Sequence, residues 1–181
     1  FVRNIKNLKV VDLGTGNGII PLLLSSRNEA QALVGVDLQP QMVERARRSV
    51  ELNGLERRIE IVRADIRELP GELSCGGYDV VTANPPYRKI ESGRVSKGDE
   101  RAMGRHELFG GIETFLRAAA LLLNSRGRFY IVYLSERLTE LLSEMQRLKL
   151  EPKRLRMVHS REGEQSRMVL VEGLKNGQPG L

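Results

Sequence analysis

Residues 8–18 read Leu-Lys-Val-Val-Asp-Leu-Gly-Thr-Gly-Asn-Gly, a short apolar run that closes on three alternating glycines. Such a run predicts a buried strand ending in a sharp turn, because glycine reaches backbone angles closed to other residues and lets a ligand approach the main chain. Ile19 to Leu24 then continues as an apolar segment of helical character, which completes a strand-loop-helix unit. The same grammar recurs downstream. Ala32 to Val36 predicts a second strand, and Pro40 to Asn53 a second helix, with Met42, Val43, Ala46 and Val50 at helical spacing, Pro40 near its start and Gly54 just past its end. Arg58 to Arg63 and Tyr78 to Ala83 predict two further strands. Beyond a long Gly- and Pro-containing loop over residues 85–105, a helix face of Ile112, Phe115, Leu116, Ala119, Leu122 and Leu123 precedes a strand over Gly127 to Leu134. A helix capped by Ser135 follows, striped by Leu138, Leu141, Leu142, Met145 and Leu148. Arg154 to His159 and Arg167 to Glu172, placed around Glu162-Gly163-Glu164, predict an antiparallel hairpin. Alternating strands and helices imply an α/β fold, a doubly wound, mostly parallel sheet with an antiparallel hairpin at its end.

Composition narrows the class. A chain of 181 residues, 40% apolar and 29% charged, suits one soluble domain. The longest apolar stretch, Ala118 to Leu123, is far short of the roughly 20 residues a spanning helix needs. One cysteine, Cys75, forms no intrachain disulfide and no Cys-rich metal site, so a reducing, cytoplasmic setting and no metal are expected. Phe1 to Lys9 lacks the apolar core of a signal peptide, and the start at Phe1 leads to the expectation of a missing N-terminal segment. The net charge of +6 falls entirely after Asn84: residues 1–84 carry 11 basic and 11 acidic side chains, residues 85–181 carry 18 and 12. A basic second half suits a polyanionic partner, and equally a solvated Arg-rich surface.

The chemistry gathers at the predicted strand ends, where ligands bind in open α/β sheets. Counting from Gly14, the third glycine of a dinucleotide fingerprint would fall on Ile19, which disfavours NAD and FAD, and there is no phosphate-loop motif for ATP. The loop of Asp12, Gly14, Thr15, Gly16, Asn17 and Gly18 therefore points to another nucleotide-like cofactor. Asp37, 19 residues after Gly18 and followed by Leu38, is placed to accept from both hydroxyls of a ribose, with a helix-capping aspartate before Pro40 as the alternative. Asp65 is placed to accept from an adenine amino group, with Ile66 packing on the ring. Asn84-Pro85-Pro86-Tyr87 directly follows the fourth strand. Two prolines make a rigid turn with free carbonyls. The Asn84 side-chain oxygen and the Pro85 carbonyl can each accept one N–H of a planar NH2 group, aiming its lone pair at an electrophilic methyl, while Tyr87 stacks on the substrate.

In this order and spacing, DLGTGNG (12–18), VGVD (34–37), RADI (63–66) and NPPY (84–87) resemble amino-group methyltransferases of the N6-adenine and N5-glutamine type. The stretch from Arg105 to Lys175 resembles the bacterial tRNA1(Val) adenine-37 N6-methyltransferase family, and the likeness covers roughly Leu8 to Lys175. The resemblance implies a seven-stranded Rossmann-like methyltransferase sheet in a single domain, S-adenosyl-L-methionine as cofactor, and methyl transfer to N6 of an adenine in tRNA, at position 37 next to the anticodon of a valine tRNA. It implies Asn84, Pro85, Pro86 and Tyr87 as the amine-binding motif. Asp12, Gly14, Gly16, Asp37 and Asp65 would hold the cofactor. The chain departs from the family pattern at Arg88, where an aromatic residue is usual, and in the segment ahead of the first strand.

On the substrate side, Tyr87, Arg88, Lys89, Arg101, Arg105 and His106 are expected to take an unstacked base and its flanking phosphates. His106 reads equally as a helix-start residue with no partner. Lys153, Arg154, Arg156, Arg161 and Arg167 could extend an RNA surface, while His159 reads as structural or exposed. Competing readings are a glutamine methyltransferase of release factors, an adenine methyltransferase of ribosomal RNA or DNA, and a non-catalytic RNA-binding module. The oligomeric state stays open, with a monomer favoured.

Overall fold

A computed structural model describes residues 1–27, 30–69, 71, 73, 75–86 and 111–180. Strands β1 (Lys9–Leu13), β2 (Ala32–Asp37), β3 (Ile59–Arg63), β4 (Tyr78–Ala83), β5 (Leu123–Leu134), β6 (Leu150–Val158) and β7 (Met168–Lys175) form one sheet in the order β3-β2-β1-β4-β5-β7-β6. β1 to β5 run parallel, and β7 pairs antiparallel with both β5 and β6. Strand order reverses direction between β1 and β4, and a crevice opens at such a switch point.

Among the described residues, two helices cover each face. α1 (Ile19–Arg27) and α2 (Pro40–Leu52) lie on one face, where Leu24, Val43, Ala46 and Val50 pack with Val10, Leu33, Ile61 and Val80. α3 (Ile112–Leu122) and α4 (Leu138–Arg147) lie on the other, where Phe115, Leu116, Leu122, Leu141 and Met145 pack with Val81, Phe129, Tyr133 and Val169. The buried residues of α2, Val43, Ala46 and Val50, recur at three- and four-residue intervals, the spacing that keeps one helix face on the sheet. No helix among the described residues is long and apolar enough to cross a membrane.

Asp79 ties the lower edge of the parallel sheet by accepting from the Lys9 backbone N–H (2.8 Å) and the Asn124 amide (2.6 Å). On the α1 face, the Arg128 guanidinium donates to the carbonyls of Arg3 and Asn4, holding the N-terminal residues against the sheet. Arg154 stacks 4.2 Å from the centre of the Phe1 ring.

Three local expectations need correction. Leu123 is the first residue of β5 rather than the last of the preceding helix face, so this strand starts four residues before Gly127. Ser135 does not cap α4. It opens a one-turn 3-10 segment (Ser135–Arg137), and its hydroxyl donates instead to the carbonyl of Ser166 across the sheet, a partner that local sequence could not reveal. The hairpin strands are longer than expected, extending from Leu150 and to Lys175, because the cross-strand ladder continues through Pro152 by a register shift.

Candidate active site

The sheet register assembles the site. Leu13 pairs with Val36 on one side and with Ala83 on the other, and Asp37 pairs with Arg63. The segments that follow these strands, carrying Asp65, Asp37, Gly14 to Gly18 and Asn84 to Pro86, therefore emerge in a row along one sheet edge. The glycine loop and the Asn84 turn stand side by side at the β1/β4 switch point.

The glycine loop depends on its glycines in different ways. Gly14, Gly16 and Gly18 have φ of 66°, 58° and 81°, in the left-handed region that costs other residues energy. A Cβ on Gly14 would also lie 3.1 Å from the Phe115 ring, whereas one on Gly16 would meet nothing within 4 Å, so Gly16 faces open space. The loop is pinned to β2 by the Thr15 N–H donating to the Val36 carbonyl (2.9 Å) and the Gly16 N–H donating to Asp37 Oδ2 (2.8 Å). Asp37 Oδ1 accepts from the Gln39 N–H (2.9 Å), and Gln39, not Asp37, occupies the N-cap position of α2. A carboxylate offers about four acceptor positions, so these two bonds do not exhaust Asp37, which is only 3% exposed.

Asp12 is fully enclosed. Its Oδ1 accepts from the Thr82 hydroxyl at 2.6 Å, while Oδ2 and the nearby Thr15 hydroxyl make no hydrogen bond of full geometry. Burial pushes the Asp12 carboxyl up to about 7 against the opposing pull of the Thr82 hydroxyl. Gly35 makes the space for Thr15, since a Cβ there would lie 2.9 Å from Thr15 Oγ1.

Asp65 is engaged differently from the expectation. The Arg67 guanidinium spans both carboxylate oxygens, with Nε at 2.9 and 3.0 Å and a terminal nitrogen at 2.5 Å, and the Arg67 N–H adds a fourth bond at 2.9 Å. Arg67 thereby holds the Asp65 carboxyl below its usual range. Ile66 is buried in the core with Ala64 and Leu73, and Leu38 packs half-buried against the same cluster.

Asn84 and Pro86 are exposed at the end of β4, with Pro85 buried between them, while Asn17 is exposed at the glycine loop. Tyr87, Arg88, Lys89, Arg101, Arg105 and His106 lie outside the described residues. Sequence reasoning missed Thr82, Gly35 and Arg67. Thr82 lies 70 residues from Asp12 and carries no local signal, whereas Arg67, two residues from Asp65, is a spacing a reader can test.

Residues 4–172 match the model of a family described as "Methyltransferase domain". The chain is 28% identical over 162 residues to the tRNA1(Val) (adenine(37)-N6)-methyltransferase of Phocaeicola vulgatus, covering 90% of this chain and 67% of that protein. It is 29% identical over 164 residues to the protein of the same name from Porphyromonas gingivalis, covering 90% and 64%. It thus spans about two thirds of the length of these curated relatives. Among solved structures, an Agrobacterium tumefaciens protein described as a predicted O-methyltransferase superposes with a TM-score of 0.79 at 22% identity, covering 98% of this chain and 78% of that one. A SAM-dependent methyltransferase from Aquifex aeolicus superposes with a TM-score of 0.69 at 17% identity, covering 95% and 85%. With nearly its whole length matched by one family model and its sheet shared with solved methyltransferases, the chain belongs to the methyltransferase-domain family.

Proposed function

We propose that this chain is a single-domain S-adenosylmethionine-dependent methyltransferase that works in the cytoplasm on the exocyclic N6 of an adenine in tRNA, at position 37 beside the anticodon of a valine tRNA. The observation that carries the reading is the placement of Asn84-Pro85-Pro86 directly after β4, the strand paired with β1, so that the proposed amine-binding turn adjoins the glycine loop. The names of the curated relatives support the choice of substrate.

The residues present fit the cofactor. Open space at Gly16 admits the methionine part, the unpartnered Asp12 Oδ2 beneath the loop suits a nearby ammonium, and Asp37 keeps acceptor capacity for the ribose hydroxyls. Asp65 and Leu38 stand on the adenine side, where Asp65 must share its oxygens with Arg67. S-adenosylmethionine supplies a methyl group on a positively charged sulfur. Asn84 Oδ1 and the Pro85 carbonyl accept the two N–H groups of the substrate amine and so orient its lone pair. The rigid proline turn keeps the Pro85 carbonyl and the Asn84 backbone in place before the amine arrives. The amine loses its proton after it has gained the methyl, so no strong general base is required of the chain.

The test is incubation with radiolabelled S-adenosylmethionine and, in parallel, unmodified tRNA, ribosomal RNA, duplex DNA and a release factor, followed by digestion of the labelled product. N6-methyladenosine in tRNA is the expected result, with a loss of roughly a hundredfold or more in rate for Asn84→Ala. Label in the release factor would transfer the reading to glutamine methylation. An Asn84→Ala variant as fast as the parent would remove the amine-orienting role.

A further inference from the structure

The β6–β7 hairpin delivers its turn to the same sheet edge as Asn84. Ala83 pairs with Ile131, and three residues further along β5 Leu134 pairs with Met168, which also pairs with Val158 at the end of β6. At about 3.3 Å per residue and 4.8 Å between strands, the turn stands roughly 10 Å beyond the end of β4 and 10–15 Å to its side. A strand of RNA leaving the Asn84 turn in that direction passes over it within a few nucleotides.

The turn, residues 159–167, is braced. Ser166 Oγ lies 3.0 Å from the Val158 carbonyl and 2.8 Å from that of Met168, the Ser135 hydroxyl donates to the Ser166 carbonyl, and the Ser135 N–H donates to the Arg167 carbonyl at 3.1 Å. His159 Nδ1 donates to the Glu164 carbonyl at 2.7 Å, since a carbonyl can only accept, and this fixes the imidazole plane. Reversing a chain needs none of these bonds. Between the turn and Ser135–Arg137 lies an open cleft of about 820 Å³, whose lining includes Met157, His159, Gln165 and Arg167 together with the carboxylates Glu136 and Glu164. His159 and Arg167 are exposed, and the Arg161 side chain is 83% exposed with only a loose 3.9 Å contact to Glu164.

Lys153 and Arg154, expected from sequence to add to an RNA surface, are committed elsewhere. Lys153 donates to the carbonyls of Gln178 and Gly180, and Arg154 to Glu172 and the Phe1 carbonyl. Glu162 and Glu164, with the exposed Glu136 across the cleft, offset the charges of Arg161 and Arg167, so the turn is suited to stacking with local phosphate contacts rather than to a broad electrostatic hold.

We propose that this braced turn is a second RNA contact: the face of His159 receives an unstacked base from the strand flanking the target adenine, and Arg161 and Arg167 hold the phosphates on either side of it. The proposal rests on the reading of the substrate as RNA. The exposed ring face supplies the stacking surface, and a ring already held in place loses little freedom on binding.

The test uses the whole chain, a fluorescent anticodon stem-loop of valine tRNA and S-adenosylmethionine. His159→Ala is expected to raise both the Kd and the KM for the stem-loop about tenfold with the Kd for S-adenosylmethionine unchanged, and His159→Phe to restore most of the loss, because a phenyl face also stacks. Arg167→Ala is expected to weaken binding and flatten its salt dependence. Wild-type stem-loop affinity in His159→Ala, or a phenylalanine variant as weak as the alanine one, overturns the contact while leaving RNA methylation standing. Methyl transfer to a release-factor peptide and none to any RNA overturns the RNA reading and this contact together.

Discussion

Asp12 and Thr82 are direct partners on adjacent parallel strands, and the Thr82 hydroxyl donates to one oxygen of the Asp12 carboxylate at 2.6 Å while the other oxygen is left unpartnered beneath the glycine loop. Burial raises the Asp12 carboxyl from 3.8 to about 7. Between these values the folded chain keeps a proton that the unfolded chain has released. The associated stability is complete below about pH 4 and is lost as pH rises through about 7. Asp12→Asn removes this titration, so its stability relative to the parent should improve from pH 4 to pH 8, by at most on the order of 4 kcal/mol. Urea unfolding across that range measures it, and parallel stability curves would show that Asp12 titrates normally.

Gly14→Ala combines two penalties, a left-handed backbone and a Cβ only 3.1 Å from the Phe115 ring. A stability loss of about 1–3 kcal/mol is expected, together with weaker binding of S-adenosylmethionine. Gly16→Ala meets no neighbour and should cost about 1–2 kcal/mol from backbone strain alone. Calorimetric Kd values and thermal unfolding of the two variants separate the contributions.

Phe115 is fully buried in α3 against the same glycine loop. Phe115→Ala should cost about 3–5 kcal/mol of stability and, by loosening the support under Gly14, reduce cofactor affinity as well. Unchanged affinity in a folded variant would show that the loop holds its shape without the ring.

Arg67 occupies the carboxylate that an adenine amino group would need. The pair is substantially exposed, with side chains 47% and 24% accessible, so Arg67→Ala should alter stability by less than about 1 kcal/mol. Removing the competitor should tighten S-adenosylmethionine binding about two- to fivefold, and NMR titration should find the Asp65 carboxyl back in its ordinary range. Weaker cofactor binding would instead make Arg67 a contributor to the site.

Glu172 is buried and accepts from the Tyr130 hydroxyl (2.9 Å) and from Arg154 Nε (2.6 Å). Arg154→Ala leaves that carboxylate without its cation, with an expected loss of about 2–4 kcal/mol. The double variant Arg154→Met/Glu172→Leu should recover much of it, since replacing both partners avoids an unpaired buried charge. Denaturant titration of the set provides the comparison.

The strand-loop-helix units before Ala83 were legible because each is set by a local pattern: period-two or continuous apolar runs, helical spacing from Met42 to Val50, and glycines where the chain must turn. The same local logic failed at Ser135, whose hydroxyl has a stronger claim on a carbonyl 31 residues away than on the helix beside it. It also failed at Leu123, which reads as helical by spacing but pairs with Tyr78 in the sheet. Hydrogen bonds between distant segments outweigh a residue's own neighbourhood, and spacing carries no record of them.

The sequence by itself determined the fold class and the identity of the four strand-end motifs, and it suggested the amine-binding role proposed for Asn84 and Pro85, because these depend on residue type and on order along the chain. Only the tertiary structure decided which polar groups are already engaged: Asp12 by Thr82, Asp37 by Gly16, Asp65 by Arg67, Arg154 by Glu172, and His159 by the turn it closes. Hydrogen-bonding capacity belongs to a side chain, but its use depends on which partner lies within about 3 Å, and for most of these pairs only the packing of the sheet brings the two together.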